Sequence, residues 1–461
     1  METDMTKPFG SASIEQVKLA AEVRISDYLS KRLDLRGSTV IAFDDNGNRD
    51  CAYSISKTSD GFKLGVHIID ADEYIPSGSP VDIEARERFM EFNYHGIIMH
   101  MLPPKFIESV CSYVEGEDKL AVSIFFDIDE YGTCKDINIE KSVVRAPIVC
   151  IFEEIDDIYR SKDTSLVVAL KQKYASYLPQ IDLLYDLSAR LNMVRRRKGA
   201  AVYARYDSVP VRDEGGRIVA LQRVEDTRDS NLMVSEFTLF TGETLGKYFA
   251  SKNLPIVFTA CKTIDPAKLA EIARFIGYDE YDAQKPDYLT QQELAHNIFL
   301  NVGFGMLAAK FCDLIPPVYF ADSPEPNYSV GIDHYMRCCH PTKSYTDIIQ
   351  LRVIKQWIDS DCLLSNIDIN RYKRSAKAFA DEFNQKQAEV TEIKKSIRRK
   401  DLDELLQNVD SFSAYYLGGE KPYILLDCGA TGVLSSDPAL HVLTRIRVKL
   451  TDRQTMTFCS M

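Results

Sequence analysis

The residues best suited to chemistry lie in one short stretch, VIAFDDNGNRDCAYSI, at positions 40–55. It reads as a strand (VIAF), a polar acidic loop and a second strand (AYSI). Asp44, Asp45 and Asp50 place three carboxylates on a loop at a strand end. Clustered acids repel one another, and the commonest reason to keep them together is a hard divalent cation such as Mg2+. The alternative is a solvated turn, in which aspartate oxygens accept from nearby backbone while Asn46 and Gly47 supply the positive-φ residues. The loop alone leaves both readings open.

Several elements must position this loop. Residues 11–36 carry Ile14, Val17, Val23, Ile25 and Leu29 at roughly helical spacing, after Ser11 or Ser13 as N-cap and before Gly37, which predicts a helical arm. LGVHIID, from Leu64, is apolar almost throughout and predicts a buried strand. PSGSPVD is a turn cluster, with Asp82 expected to cap the following helix. LAVSIFFDID and CKDINIEKSVV alternate as two paired strands about Tyr131-Gly132. Helices are expected within residues 164–198 and over 265–310, and one long exposed helix or a pair over 371–409. The tail, 411–461, reads as short strands separated by turns.

The succession VHIIDADEYIPSGSPVDIEARER, MLPP and VCSYVEGEDKLAVSIFFDIDEYG resembles the RNB catalytic domain of the ribonuclease II and ribonuclease R type. LSARLNMVRRRKGAA (187–201), LMVSEFTLFTGETLGKYF and HYMRCCHPTKSYTDIIQLRVIKQW continue the likeness in family order over roughly residues 38–400. The resemblance implies an α+β fold, with a mixed sheet packed by helices around a central channel, followed by a small C-terminal OB-like barrel. The divisions it implies are a helical arm at 1–37, an RNB-like domain at 38–410 and a shortened barrel at 411–461. In that barrel Tyr423, Arg445, Arg447 and Lys449 would be available to a nucleic acid strand, although a purely structural barrel fits as well.

In that family an acidic loop of the form D-x5-D-x-D-D-A holds Mg2+ for hydrolysis at an RNA 3′ end. By resemblance Asp44 and Asp50 are the metal ligands and, with Lys343, catalytic positions. Tyr335, Lys343, Arg352, Arg197 and Glu236 fall at substrate-binding positions. The acidic pattern is incomplete. Asp50 is followed by Cys51, Ala52 and Tyr53, so at least one carboxylate is missing whichever way the loop is aligned, with Asn48 standing at an acid position in the shorter alignment. A thiol or amide does not replace that charge at Mg2+. The last signature changes too: Lys343 and Ser344 stand where two arginines are expected. Lysine keeps the charge and loses the bidentate fork. These departures imply loss of ordinary Mg-dependent 3′–5′ exoribonuclease activity, leaving RNA binding or a repurposed reaction. An atypical but active exoribonuclease using Asp44, Asp45, Asp50 and Lys343 is the alternative.

The changed positions introduce Cys51, Cys261, Cys338, Cys339 and His340. A thiol beside an imidazole can act as nucleophile and base, and such sets also bind zinc. Cys51 and His340 are therefore candidate catalytic residues for an acylated RNA end or a small molecule. Against this, buried cysteines commonly serve as small hydrophobes. His67, His100 and His334 sit in core-like segments and read as structural.

Composition sets the outer limits. The chain has 461 residues, 45% hydrophobic and 27% charged, enough for one large domain and a small one. No apolar run approaches the roughly 18 residues of a membrane span. METDMTKPFG has no basic-then-apolar signal pattern, and eleven cysteines without C-x-x-C pairs suit a reducing cytoplasm. A net charge of −12 argues against a generally basic nucleic-acid binder, while leaving room for a local basic channel.

Overall fold

The computed structural model describes residues 7–44, 47, 49–94, 97–198, 206–225, 228–275, 294, 314–419 and 421–461. Asp45, Asn48, His95, the Gly-Ala turn at 199–201 and most of the helical stretch expected beyond residue 275 lie outside them.

The first nine strands are β1 (Leu33–Asp34), β2 (Ile41–Asp44), β3 (Cys51–Lys57), β4 (Gly61–Ile69), β5 (Phe92–Tyr94), β6 (Ile97–Met99), β7 (Asp118–Asp129), β8 (Cys134–Arg145) and β9 (Ile148–Ile151). Seven of them form one mixed sheet in the order β1-β8-β7-β4-β3-β2-β9, with β1·β8 and β2·β9 parallel and the remaining pairs antiparallel. β4, the apolar LGVHIID run, lies near the middle and is buried along almost its whole length, as a strand covered on both faces must be. Side chains alternate between two cores. Cys51, Tyr53 and Ile55 join Leu64, Val66 and Ile68 on one face, against helices Leu178–Arg197 and Asp229–Ser251. Ala42 and Ala52 face the other core with Val81, Phe106 and Ile348. The β7–β8 hairpin turns at Gly132, whose φ of +84° suits a residue without a Cβ.

Arg32 explains why the N-terminal arm differs from the expected helix over 11–36. The helix ends early, as Ser11–Ala21, followed by a 3-10 turn at Ile25–Tyr28 and by β1 along the sheet edge. Arg32 is buried and bonds to Asp70, Glu73 and the carbonyl of Ala121, drawing the chain into the sheet, an attraction that helical periodicity does not encode. A second expectation is also corrected. Ser79 caps helix Pro80–Arg88, with Pro80 in its first turn, whereas Asp82 lies within that same turn and accepts from Gly78 N, Tyr345 Oη and Arg352. The long C-terminal segment is one helix, Asn366–Asn408.

Strands β10 (Tyr206–Arg212) and β11 (Ile218–Glu225) pair as a hairpin, and β12 (Phe258–Ala260) pairs with β13 (Tyr319–Ala321). The tail forms a closed barrel from β14 (Ser411–Gly418), β15 (Tyr423–Leu426), β16 (Thr431–Leu434), β17 (Arg445–Asp452) and β18 (Thr457–Ser460), in the order β14-β15-β16-β18-β17. Its single parallel pairing, β16 with β18, and its closure of β14 on β17 give an OB-like barrel. Its core shares Ile218, Leu405 and Leu406 with the hairpin and the long helix.

Two features fix the segment that meets Asp50. Gly242 and Gly246 let the backbone of residues 334–336 lie directly on helix Asp229–Ser251. A Cβ at Gly246 would come within 2.0 Å of His334 O, and one at Gly242 within 2.4 Å of Met336 O. Helix Tyr345–Asp359 is then tied to the end of β4 by buried ion pairs. Lys355 Nζ lies 2.9, 3.2 and 2.8 Å from Asp70, Asp72 and Glu73, and Arg352 bonds to Asp72 and Asp82 at 2.6 and 2.7 Å. Removing one member of such a network leaves its partners charged and dry. Lys355→Met should therefore lower stability by roughly 3–5 kcal/mol, measured by urea unfolding; a change under about 1 kcal/mol would contradict the role given to the network.

His67 is buried on β4 with Ser54 on Nε2 and Ser123 on Nδ1, and burial lowers its pKa from 6.5 to about 3. Below pH 6.5 the unfolded chain takes up a proton that the folded chain refuses, so folding weakens as the pH falls toward 3. The stability advantage of wild type over His67→Gln should shrink by about 2–3 kcal/mol between pH 7 and 4.5. A pH-independent difference in urea unfolding would refute neutral burial.

Candidate active site

Asp50 ends the acidic loop and enters β3. Its backbone carbonyl accepts from Ile69 N at 2.9 Å, and the neighbouring Arg49 carbonyl accepts from Tyr113 N at 2.8 Å, so sheet and loop bonds fix this corner. The carboxylate is buried and meets the segment that precedes helix Tyr345–Asp359. Thr342 Oγ1 donates to Asp50 Oδ2 at 2.6 Å, and His340 Nδ1 lies 3.1 Å from Oδ1. That segment is a compact turn: Lys343 N and Ser344 N donate to His340 O, and His340 N donates to Asp347 Oδ2 at 2.9 Å. Asp347 Oδ1 lies 3.5 Å from Arg337 Nε.

Burial favours the neutral form of Asp50, but the charge and hydrogen bond of His340, with Lys343 and Thr342, outweigh it and hold the carboxyl below its ordinary value. Burial likewise disfavours the imidazolium of His340, and Asp50 outweighs it, raising that pKa above 6.5. The two shifts describe one charged pair. Burial, reinforced by the hydrogen bond to Cys339, pushes the Cys51 thiol well above the ordinary range.

Of the residues singled out from the sequence, Asp50, Cys51, Cys338, Cys339, His340 and Lys343 come together here, joined by Thr342, Asp347 and Arg337. Cys51 Sγ lies 2.7 Å from the Cys339 carbonyl, so its hydrogen bond goes to backbone rather than to the imidazole. Asp44 stays on its own loop, accepting from Gly47 N at 2.6 Å with Arg49 Nε at 3.8 Å, the turn arrangement. Tyr335 is buried against Gly242. Glu236 is buried in an ion pair with Arg195 and accepts from Asn192. Arg197 lies exposed at the end of its helix, and Arg352 belongs to the Asp72–Asp82 network. His100 pairs with Glu91 at 2.9 Å. In the barrel, Arg445 bonds to Asp427 and lies over the Tyr415 ring.

Thr342 and Asp347 were not among the expected site residues, although both stand in the signature. Thr342 meets Asp50 across 292 positions, and Asp347 is connected to Asp50 only through His340, which local spacing cannot reveal. Two cavities of about 590 and 580 Å3 lie elsewhere, the first beside Arg195, Glu236, Glu243 and Lys247, the second beside Arg86, Tyr345, Arg352 and Phe379.

Among the described residues, the donor set does not suit Mg2+, which takes near-octahedral hard oxygen ligands. Both oxygens of Asp50 already have protein partners, and Asp44 faces Gly47 and Arg49. Among the described residues, no three of His, Cys, Asp and Glu gather where they could hold a metal ion. What the arrangement offers is an Asp–His pair with a lysine nearby, competent to donate hydrogen bonds to an anion or to move a proton.

Comparison with known proteins agrees with this architecture. Ribonuclease R of Chlamydia trachomatis is 24% identical over 363 residues, covering 77% of this chain and 50% of that protein. The chain thus spans about half the length of the curated relatives it matches. Mycoplasma genitalium RNase R, solved with ribose-methylated single-stranded RNA, superposes with a TM-score of 0.80 at 13% identity, over 99% of this chain and 76% of that one. Yeast Ssd1, described as a pseudonuclease, superposes with a TM-score of 0.56 at 14% identity, over 87% of this chain and 49% of that one. The family profile described as RNB domain matches residues 32–360, most of the chain, and the protein belongs to the RNB-domain family.

Proposed function

We propose that this protein binds single-stranded RNA through its RNB fold and does not degrade it by the ordinary Mg-dependent 3′–5′ route. The observation that carries the proposal is the state of Asp50: both carboxylate oxygens are engaged by Thr342 and His340, and the next residue is a thiol, Cys51. In a reaction that relies on metal ions to neutralise charge at the scissile phosphate, losing a ligand carboxylate costs several kcal/mol of transition-state stabilisation, on the order of 10²–10⁴ in rate. The fold does not decide the matter, since it is shared by named ribonucleases and by a protein described as a pseudonuclease. Binding is the part that the likeness to an RNase R solved with RNA supports.

A repurposed reaction is the second reading, favoured by the Asp50–His340 pair. A carboxylate on Nδ1 fixes the ring and leaves Nε2 for acid–base work. The nucleophile role considered for Cys51 is less well supported, because its thiol bonds to the Cys339 carbonyl and burial keeps it protonated.

Incubation of the full chain with 5′-labelled single-stranded RNA and Mg2+ tests the proposal. The expected result is retarded but unshortened RNA. Processive release of nucleotides from the 3′ end, abolished by Asp50→Asn, would overturn it in favour of an atypical exoribonuclease.

A further inference from the structure

We infer that Cys338 and Cys339 form a reversible dithiol–disulfide pair, a modification site for a hydroperoxide, whose closure loosens the contact between His340 and Asp50. Successive side chains of an extended segment point to opposite sides. Here the backbone bends at Cys339, and the two sulfurs lie 3.9 Å apart. The dipeptide is thus already turned toward closure. Both thiols are buried, but the residues on either side, Arg337 and His340, keep 30% and 25% of their side chains exposed. A small oxidant has only one residue to pass on its way to sulfur.

The surroundings tie the pair to the Asp50 corner. Cys51 Sγ donates to the Cys339 carbonyl at 2.7 Å, across 288 positions, and so holds the peptide group that closure must turn. Cys51, Cys338 and Cys339 all stand where the sequence departs from the family pattern, and the fold brings them together. The next residue, His340, reaches Asp50 through Nδ1 and Asp347 through its backbone N–H. Closing the bond draws the sulfurs from 3.9 Å to about 2.05 Å. Neighbouring Cα atoms are only about 3.8 Å apart, against roughly 4.4–6.8 Å across an ordinary disulfide. The ring is therefore strained, which makes the bond easy to reduce again. Turning the Cys339 peptide pulls on the Cys51 hydrogen bond and on His340 directly after it.

One hydroperoxide balances the reaction. One sulfur takes an oxygen from H2O2 to become a sulfenic acid, and water leaves. The second sulfur attacks the first, the S–S bond forms, and the hydroxyl departs with the remaining thiol proton as a second water. A two-residue ring restricts the unfolded chain little, so the melting temperature reads the loss at Asp50 rather than loop closure.

The test exposes the native full chain to H2O2, alkylates it with iodoacetamide under denaturing conditions and cuts it with trypsin after Arg337 and Lys343. The expected peptide 338–343 is two hydrogens lighter than its thiol form, carries no alkyl group and regains both thiols in dithiothreitol. Cys111 and Cys150, which are also buried, should alkylate fully. The oxidised chain should melt roughly 5 °C below the reduced one, and Cys338→Ser should abolish both changes. Should that variant fold poorly, Cys338→Ala carries the same comparison. Peptide 338–343 alkylated at both sulfurs after peroxide, or joined to the tryptic peptide 50–57 that carries Cys51, overturns the inference. So does a closed pair that leaves the melting temperature unchanged. Neither readout involves RNA, so the outcome is independent of the proposed function.

Discussion

A carboxylate buried in a sheet corner must be answered by donors, and much of this structure serves to deliver them to Asp50. The loop that carries it is held by Ile69 and Tyr113, one at the end of the central strand and one before β7. The donors come from the far end of the chain, Thr342 and His340, on a turn whose preceding backbone lies directly on helix Asp229–Ser251. Gly242 and Gly246 secure that approach. Behind the turn, Arg352 and Lys355 fasten helix Tyr345–Asp359 to the acids that follow β4. The scaffold thus fixes both sides of the Asp50 contact independently, and the contact joins them.

Two groups of acids in one fold have been handled in the same way. Asp70, Asp72, Glu73 and Asp82 form a network with Arg32, Arg352 and Lys355. Asp50 is likewise paired from within, by Thr342 and His340. Among the described residues, the Asp50 carboxylate is balanced by the side chains of His340 and Thr342, a pairing that the likeness of the loop to a metal-binding sequence does not reveal.

Much of the fold was legible because its signals are local. The unbroken apolar run of β4, the alternation of β7 and β8 about Gly132 and the strand-and-turn rhythm of the tail each appear where expected. The order of the RNB landmarks added what periodicity could not. Expectations differed where a distant partner decides the outcome. Arg32 pulls residues 33 and 34 to a sheet edge because of Asp70, not because of its neighbours. At the site, Asp50, Cys51 and His340 were visible as unusual residues at telling positions, but their pairing was not. Cys51 and His340 look like a nucleophile and base in sequence, and in space each has another partner. Arg352 shows the same limit: a helix arginine reads alike whether it faces a phosphate or the carboxylates of Asp72 and Asp82.

The most direct measurement is a titration of the full chain with Mn2+, which shares the oxygen-ligand preference of Mg2+ and can be followed by electron paramagnetic resonance. If Asp50 is tied off by Thr342 and His340, wild type and Asp50→Asn give coincident isotherms with no saturable site at this loop. A stoichiometric Mn2+ site in the wild type that disappears in Asp50→Asn would contradict that arrangement.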